Sequence, residues 1–242
     1  MTANIQLSIV TVCYQAKPLL SKTIASVWAN KRPDVEYLVV DGGSTDGSLE
    51  LIEQSPVIDR YVSEPDGGIY DAMNKAVQLA SAPWIIYMNA GDVFAGEDVL
   101  RHFMPLLNAE ADVVYGDIMK PRADGSLYLK AAHKPGNYHK MFFCHQAAFT
   151  RRRLLSKYPF DTSLKLSADF LLYKQLYLAG YRFVYHPHAV AVFDTQGASN
   201  RQRSRGLAEN ISVIRRTDSL FEQIRLLPRL YFTYLMTLIR RK

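Results

Sequence analysis

A regular alternation of strand and helix signals over the first 116 residues constrains this chain more than any other feature. Short β-branched runs recur at residues 7–13, 36–41, 60–63, 84–88 and 112–116. Between them, residues 18–30, 46–54, 69–80 and 97–108 carry apolar side chains at helical spacing. Strands that are apolar on both sides and alternate with helices predict an α/β fold, a mainly parallel sheet with helices on both faces. After Gly116 the alternation stops. Residues 117–131 read as a hairpin around Ala123-Asp-Gly125, residues 146–150 as a strand with a helix over 151–156 behind it, and 167–179 as a helix ending at Gly180.

Ligands of such sheets bind beyond the carboxyl ends of the strands, so the polar residues there carry the functional reading. They are Tyr14 and Gln15, the run Asp41-Gly-Gly-Ser-Thr-Asp-Gly47, the run Glu64-Pro-Asp-Gly-Gly68, and Asn89-Ala-Gly-Asp92. Each acid taken singly also suits a turn or a helix cap. Three successive strands delivering Asp41, Asp66 and Asp92 to one edge suit a divalent cation and, through it, a diphosphate. The glycine run is neither GxGxxG nor GxxxxGK[ST], which argues against dinucleotide and P-loop folds.

Charge is unevenly shared. Residues 1–120 hold 8 Lys and Arg against 16 Asp and Glu, whereas residues 121–242 hold 21 against 7. This asymmetry points to an anionic partner or surface. The basic half shows no nucleic-acid-binding motif, and nucleic acid is not expected as a partner. Cys13 and Cys144 are isolated thiols, no leader segment is apparent, and no uncharged apolar run reaches the length of a membrane span. The expected location is the cytoplasm, at the cytoplasmic face of the inner membrane.

The runs Ser8-Ile-Val-Thr-Val-Cys-Tyr14, Val39-Val-Asp-Gly-Gly-Ser-Thr-Asp-Gly47, Glu64-Pro-Asp-Gly-Gly-Ile-Tyr-Asp-Ala-Met-Asn-Lys75 and Met88-Asn-Ala-Gly-Asp92 resemble, in order and spacing, family 2 glycosyltransferases. The likeness extends through His145-Gln146, Phe160-Asp161 and Ser167-Ala-Asp169 to Ala179-Gly-Tyr181, and within the family is greatest to sugar transferases of bacterial exopolysaccharide clusters, such as the colanic acid type. The resemblance implies the GT-A fold, a nucleotide-sugar donor (UDP-sugar favoured), inversion at the transferred sugar, and a divalent metal, Mn²⁺ or Mg²⁺. A polyprenyl-diphosphate-linked or oligosaccharide acceptor is expected.

Carried over by position, it places Thr11, Tyr14, Asp41, Asp66 and Asn74 at the nucleotide and Asp92 at the metal. Asn89, Gly91, His145, Gln146, Gly197, Ser199 and Arg203 would line the substrate pocket, and Asp169 would be the catalytic base. Asn89 and Gly91 stand where many relatives carry Asp, and Ala168 where the family has Glu. The remaining readings of the residues are a sugar nucleotidyltransferase, which lacks its basic N-terminal loop here, and a basic nucleic-acid-binding protein. The expected organisation is a catalytic domain over residues 1–200, comprising a nucleotide-sugar part (1–116) and an acceptor part (117–200). A basic helical tail over 201–242 follows. That tail, with 10 basic and 3 acidic residues and an apolar run from Leu230 to Ile239, reads either as a helix docked on protein or as one lying on an anionic bilayer.

Overall fold

The computed structural model describes residues 4–193 and 202–239. Strands β1 (Leu7–Cys13), β2 (Val35–Asp41), β3 (Arg60–Ser63) and β4 (Trp84–Tyr87) alternate with helices α1 (Lys17–Asn30), α2 (Ser48–Glu53) and α3 (Ile69–Leu79). Next come β5 (Val93–Phe94), α4 (Val99–Phe103), β6 (Val113–Pro121), β7 (Leu127–Lys130) and β8 (Ala148–Arg151). The chain continues through α5 (Arg152–Lys157), α6 (Ala168–Leu178) and β9 (Phe183–Val192) to α7 (Arg203–Thr217) and α8 (Leu220–Ile239).

The sheet runs β3-β2-β1-β4-β8-β6-β9-β5, with β7 pairing beside β6. Its first half is parallel, as the alternation requires. The second half corrects the expectation of a mainly parallel sheet. β8 inserts antiparallel between β4 and β6, β5 and β7 are also antiparallel to their partners, and β6 and β9 are parallel.

Side-chain alternation along β1 sorts the core into two layers. Val10 and Val12 face the layer of α3, α5 and α6, while Leu7, Ile9 and Cys13 face that of α1, α2 and α4. Helix α6 is apolar almost all round and is buried accordingly. What covers it includes α7, whose Ile211, Val213 and Ile214 join the same core as Phe170, Leu172 and Leu176. The tail therefore packs on the helix that carries Asp169. A buried ion pair reinforces this, with Lys174 Nζ 2.9 Å from Asp218 Oδ2 and both side chains nearly inaccessible.

Candidate active site

A cavity of about 580 Å³ opens beyond the carboxyl ends of β1 and β4. Its walls come from segments far apart in the chain: Tyr14, Asp66, Asn89 and Asp92, then His145 and Gln146, then Lys165 and Asp169. Gly42 makes the close approach of two of these possible. A Cβ there would lie 2.7 Å from Asp66 Oδ2 and 3.2 Å from the Tyr14 ring. Asp66 is also fixed from below, its Oδ1 accepting the Gly68 N–H at 2.8 Å.

Asp169 sits in the first turn of α6, where a carboxylate is favoured by the helix dipole. Its Oδ1 accepts the Tyr70 hydroxyl at 3.1 Å and the Phe170 N–H at 2.8 Å. Its Oδ2 lies 3.2 Å from His145 Nδ1, and the other ring nitrogen lies 3.3 Å from Asn89 Nδ2. Burial opposes charge on His145, but the hydrogen bond and the field of Asp169, helped by Asp92, raise its pKa above the ordinary histidine value. A continuous chain, Tyr70–Asp169–His145–Asn89, thus crosses the cavity wall.

At its far end Asn89 Oδ1 is buried without a hydrogen-bond partner among the described residues, and the Asp92 carboxylate lines the same cavity. An orphaned carbonyl oxygen beside a carboxylate is a donor set that fits a hard divalent cation. These residues can therefore hold the metal that the fold family implies.

Three residues expected at the nucleotide are engaged elsewhere. Thr11 is fully buried in β1, where its hydroxyl donates to the Met88 carbonyl at 2.7 Å and pairs with the Tyr37 hydroxyl at 2.9 Å. Asp41 is likewise inaccessible. It accepts the N–H groups of Gly43 and Ser44, the hydroxyls of Ser44 and Ser63, and the Cys13 thiol. Asn74 clamps the backbone of Phe160 through both its amide atoms, at 2.9 Å each.

Gly91, in a left-handed conformation (φ 106°), donates its N–H to Thr23 and shapes the Asn89–Asp92 turn rather than lining the cavity. Arg203 is exposed at the start of α7, away from the cavity lining. Gly197 and Ser199 lie outside the described residues. Gln146 is on the wall, accepting the Cys144 thiol at 2.8 Å. Burial pushes that thiol up to about 12, so it is protonated at neutral pH.

Besides Tyr70, which holds Asp169, two contributors escaped the sequence reading. Lys165 projects into the cavity region and donates to the Gly67 carbonyl at 3.0 Å. Glu209, on α7, accepts the consecutive N–H groups of Lys165, Leu166 and Ser167 at 2.8–3.1 Å, just ahead of α6. Neither has a local signal: one is a loop lysine, the other a surface-patterned glutamate 40 residues beyond Asp169.

The model of the family described as Glycosyl transferase family 2 matches residues 8–163. A PGL/p-HBAD biosynthesis glycosyltransferase of Mycobacterium tuberculosis is 29% identical over 172 residues, which is 67% of this chain and 66% of that relative. The match thus leaves about a third of that relative's length uncovered. Among solved structures, a mannosyltransferase from Pyrobaculum calidifontis in complex with GDP-Man and Mn²⁺ superposes with a TM-score of 0.69 at 18% identity, over 95% of this chain and 69% of that one. Residues 1–349 of S. aureus TarS, in complex with UDP-GlcNAc, give 0.69 at 16% identity, over 87% and 66%. The GT-A fold is common to this chain and these two structures.

Proposed function

We propose that this chain, which belongs to glycosyl transferase family 2, is an inverting glycosyltransferase that moves a sugar from a nucleotide diphosphate to an acceptor hydroxyl. The observation that carries the reading is Asp169, held by Tyr70 and His145 on the wall of a cavity that is also lined by Asp66, Asn89 and Asp92. Inversion is an in-line displacement. As the acceptor oxygen bonds to the anomeric carbon, its proton passes to Asp169, and the bond to the nucleoside diphosphate breaks with its electron pair on the leaving phosphate oxygen. His145 and Tyr70 fix the carboxylate before the acceptor arrives, so no reorganisation is needed at the moment of transfer.

Asp92 and Asn89 are the residues that would hold a divalent cation, Mn²⁺ or Mg²⁺. Such an ion, when bound, neutralises charge on the departing diphosphate. Tyr14 and Asp66, which line the cavity, would contact the nucleoside, with UDP favoured. Asp41 and Thr11 support that end of the sheet from beneath.

A lipid-linked or oligosaccharide acceptor, in surface polysaccharide or glycolipid synthesis, is consistent with what the mycobacterial relative is named for. The helix α8 supports peripheral contact with an anionic membrane at the cytoplasmic face, as its apolar outer surface is flanked by arginines. No described helix is long and apolar enough to cross a membrane.

The test is nucleotide release across UDP- and GDP-sugars with Asp169→Asn beside the parent chain. Turnover falls by about 10²–10⁴ in the variant, while stabilisation by UDP plus Mn²⁺ in a thermal shift persists. Parental turnover in Asp169→Asn would remove that carboxylate from the mechanism.

A further inference from the structure

Three of the chain's six histidines meet on a face that the cavity does not reach. His186 and His188 are two residues apart on β9, so both rings project from the same side of the strand. Asp98 and His102 are four apart, at the N-cap and within α4, so they stack one helical turn from each other. The packing of α4 on β9 brings the two pairs together. The His102 ring centroid is 4.1 Å from that of His188, and His186 lies 6.2–6.3 Å from both. One ligand atom each from Asp98, His102 and His188 fall within 4.8 Å of one another.

We propose that this cluster is a second metal site, specific for a borderline divalent ion such as Zn²⁺. Asp98, His102 and His188 are its ligands, and water takes the fourth position. The Asp98 Oδ2 to His102 Nε2 separation of 3.2 Å already matches the edge, about 3.3 Å, of a tetrahedron with bonds of 2.0–2.1 Å. Asp98 and His102 are half-exposed, so their side chains have room to rotate toward His188, with Asp98 Oδ2 exchanging its 3.3 Å contact with Arg101 for the ion.

Imidazole-rich coordination separates this site by chemistry from the oxygen donors Asn89 and Asp92, which suit Mg²⁺ or Mn²⁺. Its position gives it a mechanical role. The ion would tie α4 to β9 next to the short β5–β9 pairing, Val93 with Val192 and Phe94 with Ala191. The turn carrying Asp92 runs directly into that β5 strand. Zinc at the cluster therefore braces the Asp92 turn from outside the cavity.

The experiment uses the chelator-treated full chain without a polyhistidine tag. Zn²⁺ is titrated calorimetrically, and Co²⁺ is followed by its visible absorption. One equivalent of Zn²⁺ is expected to bind and raise the Tm in the parent and in Asp92→Asn, with a tetrahedral Co²⁺ spectrum in both. The double variant His102→Ala/His188→Ala should lose the binding, the spectrum and the Tm increment. Asp98→Asn, which alters one atom at the rim, should weaken binding without loss of fold. Absence of Zn²⁺ binding by the parent overturns the proposal, and so does binding that survives the double substitution or disappears in Asp92→Asn.

Discussion

Carboxylates at the central strands divide into two kinds according to the donors around them. Asp66 and Asp92 reach the cavity, whereas Asp41 and Glu36 are consumed by the protein itself. Glu36 accepts the Ser8 hydroxyl at 2.5 Å, Arg60 at 2.7 Å, and the N–H groups of Ser81 and Ala82 at 2.7 and 3.1 Å. Burial alone would raise its pKa, but these donors outweigh it and bring it down to about 2. A carboxylate depressed in the folded state stabilises above its unfolded pKa and loses that contribution as pH falls through the folded value. Glu36→Gln should thus cost about 2–3 kcal/mol at neutral pH, measured by urea unfolding. The gap should start to close below about pH 4.5 and vanish near pH 2. Persistence of the full gap at acid pH would mean that shape, not charge, is what Glu36 supplies. The same comparison explains what the sequence could and could not reveal. Asp41 and Asp92 look alike in sequence, one closing a buried run and the other following one by a short turn. Yet Gly43 and Ser44 turn their N–H groups back onto Asp41, an Asx-type closure that only the folded loop displays.

The elements legible from sequence are those whose signal is local: β1, β3 and the hairpin of β6 and β7 fall where periodicity and Asp124-Gly125 put them. The helix expected over 97–108 is α-helical only to Phe103, since Pro105 lacks the N–H needed to continue and the chain tightens into a 3-10 turn. The antiparallel insertion of β8 depends on which strands meet, and no window of sequence encodes that. The α6–α7 contact is of this long-range kind. By accepting three consecutive N–H groups ahead of α6, Glu209 fixes the turn from which both Lys165 and Asp169 project. Glu209→Ala should lower kcat by about 10²-fold through misplacement of Asp169, with donor KM nearly unchanged, and Glu209→Gln should restore most of it. An equal loss in both variants would show that the carboxylate charge, not the clamp, matters. The buried Lys174–Asp218 pair anchors the same helices, and Asp218→Asn should destabilise the chain by about 3–5 kcal/mol by leaving the ammonium without its counter-charge.

At the scale of the whole molecule, the contrast between an acidic first half and a basic second half becomes a question about α8. Leu226 and Leu230 bury one side of this helix. The opposite side carries Phe221, Ile224, Phe232 and Ile239, which are 75%, 74%, 66% and 65% exposed. Their spacings of three, eight and seven residues align them in a single stripe, with Arg225 and Arg229 along its edge and Arg240, Arg241 and Lys242 following in sequence. An apolar stripe bordered by arginines is complementary to an anionic bilayer, where the side chains enter the acyl boundary and the guanidinium groups meet phosphates. Truncation would be a poor test, because Glu222 and Arg225 hold Asn137 and the helix shares the core of α6. Substitution on the exposed face is clean. Phe221→Ser/Ile224→Ser/Phe232→Ser should retain the parental Tm and turnover on a soluble acceptor while losing flotation with vesicles containing anionic lipid. Parental binding to neutral vesicles should be weak, and added salt should reduce binding to anionic ones, since each basic residue near the surface contributes about 1 kcal/mol that ionic strength screens. Flotation unchanged by the triple substitution would assign the stripe to contact with protein instead.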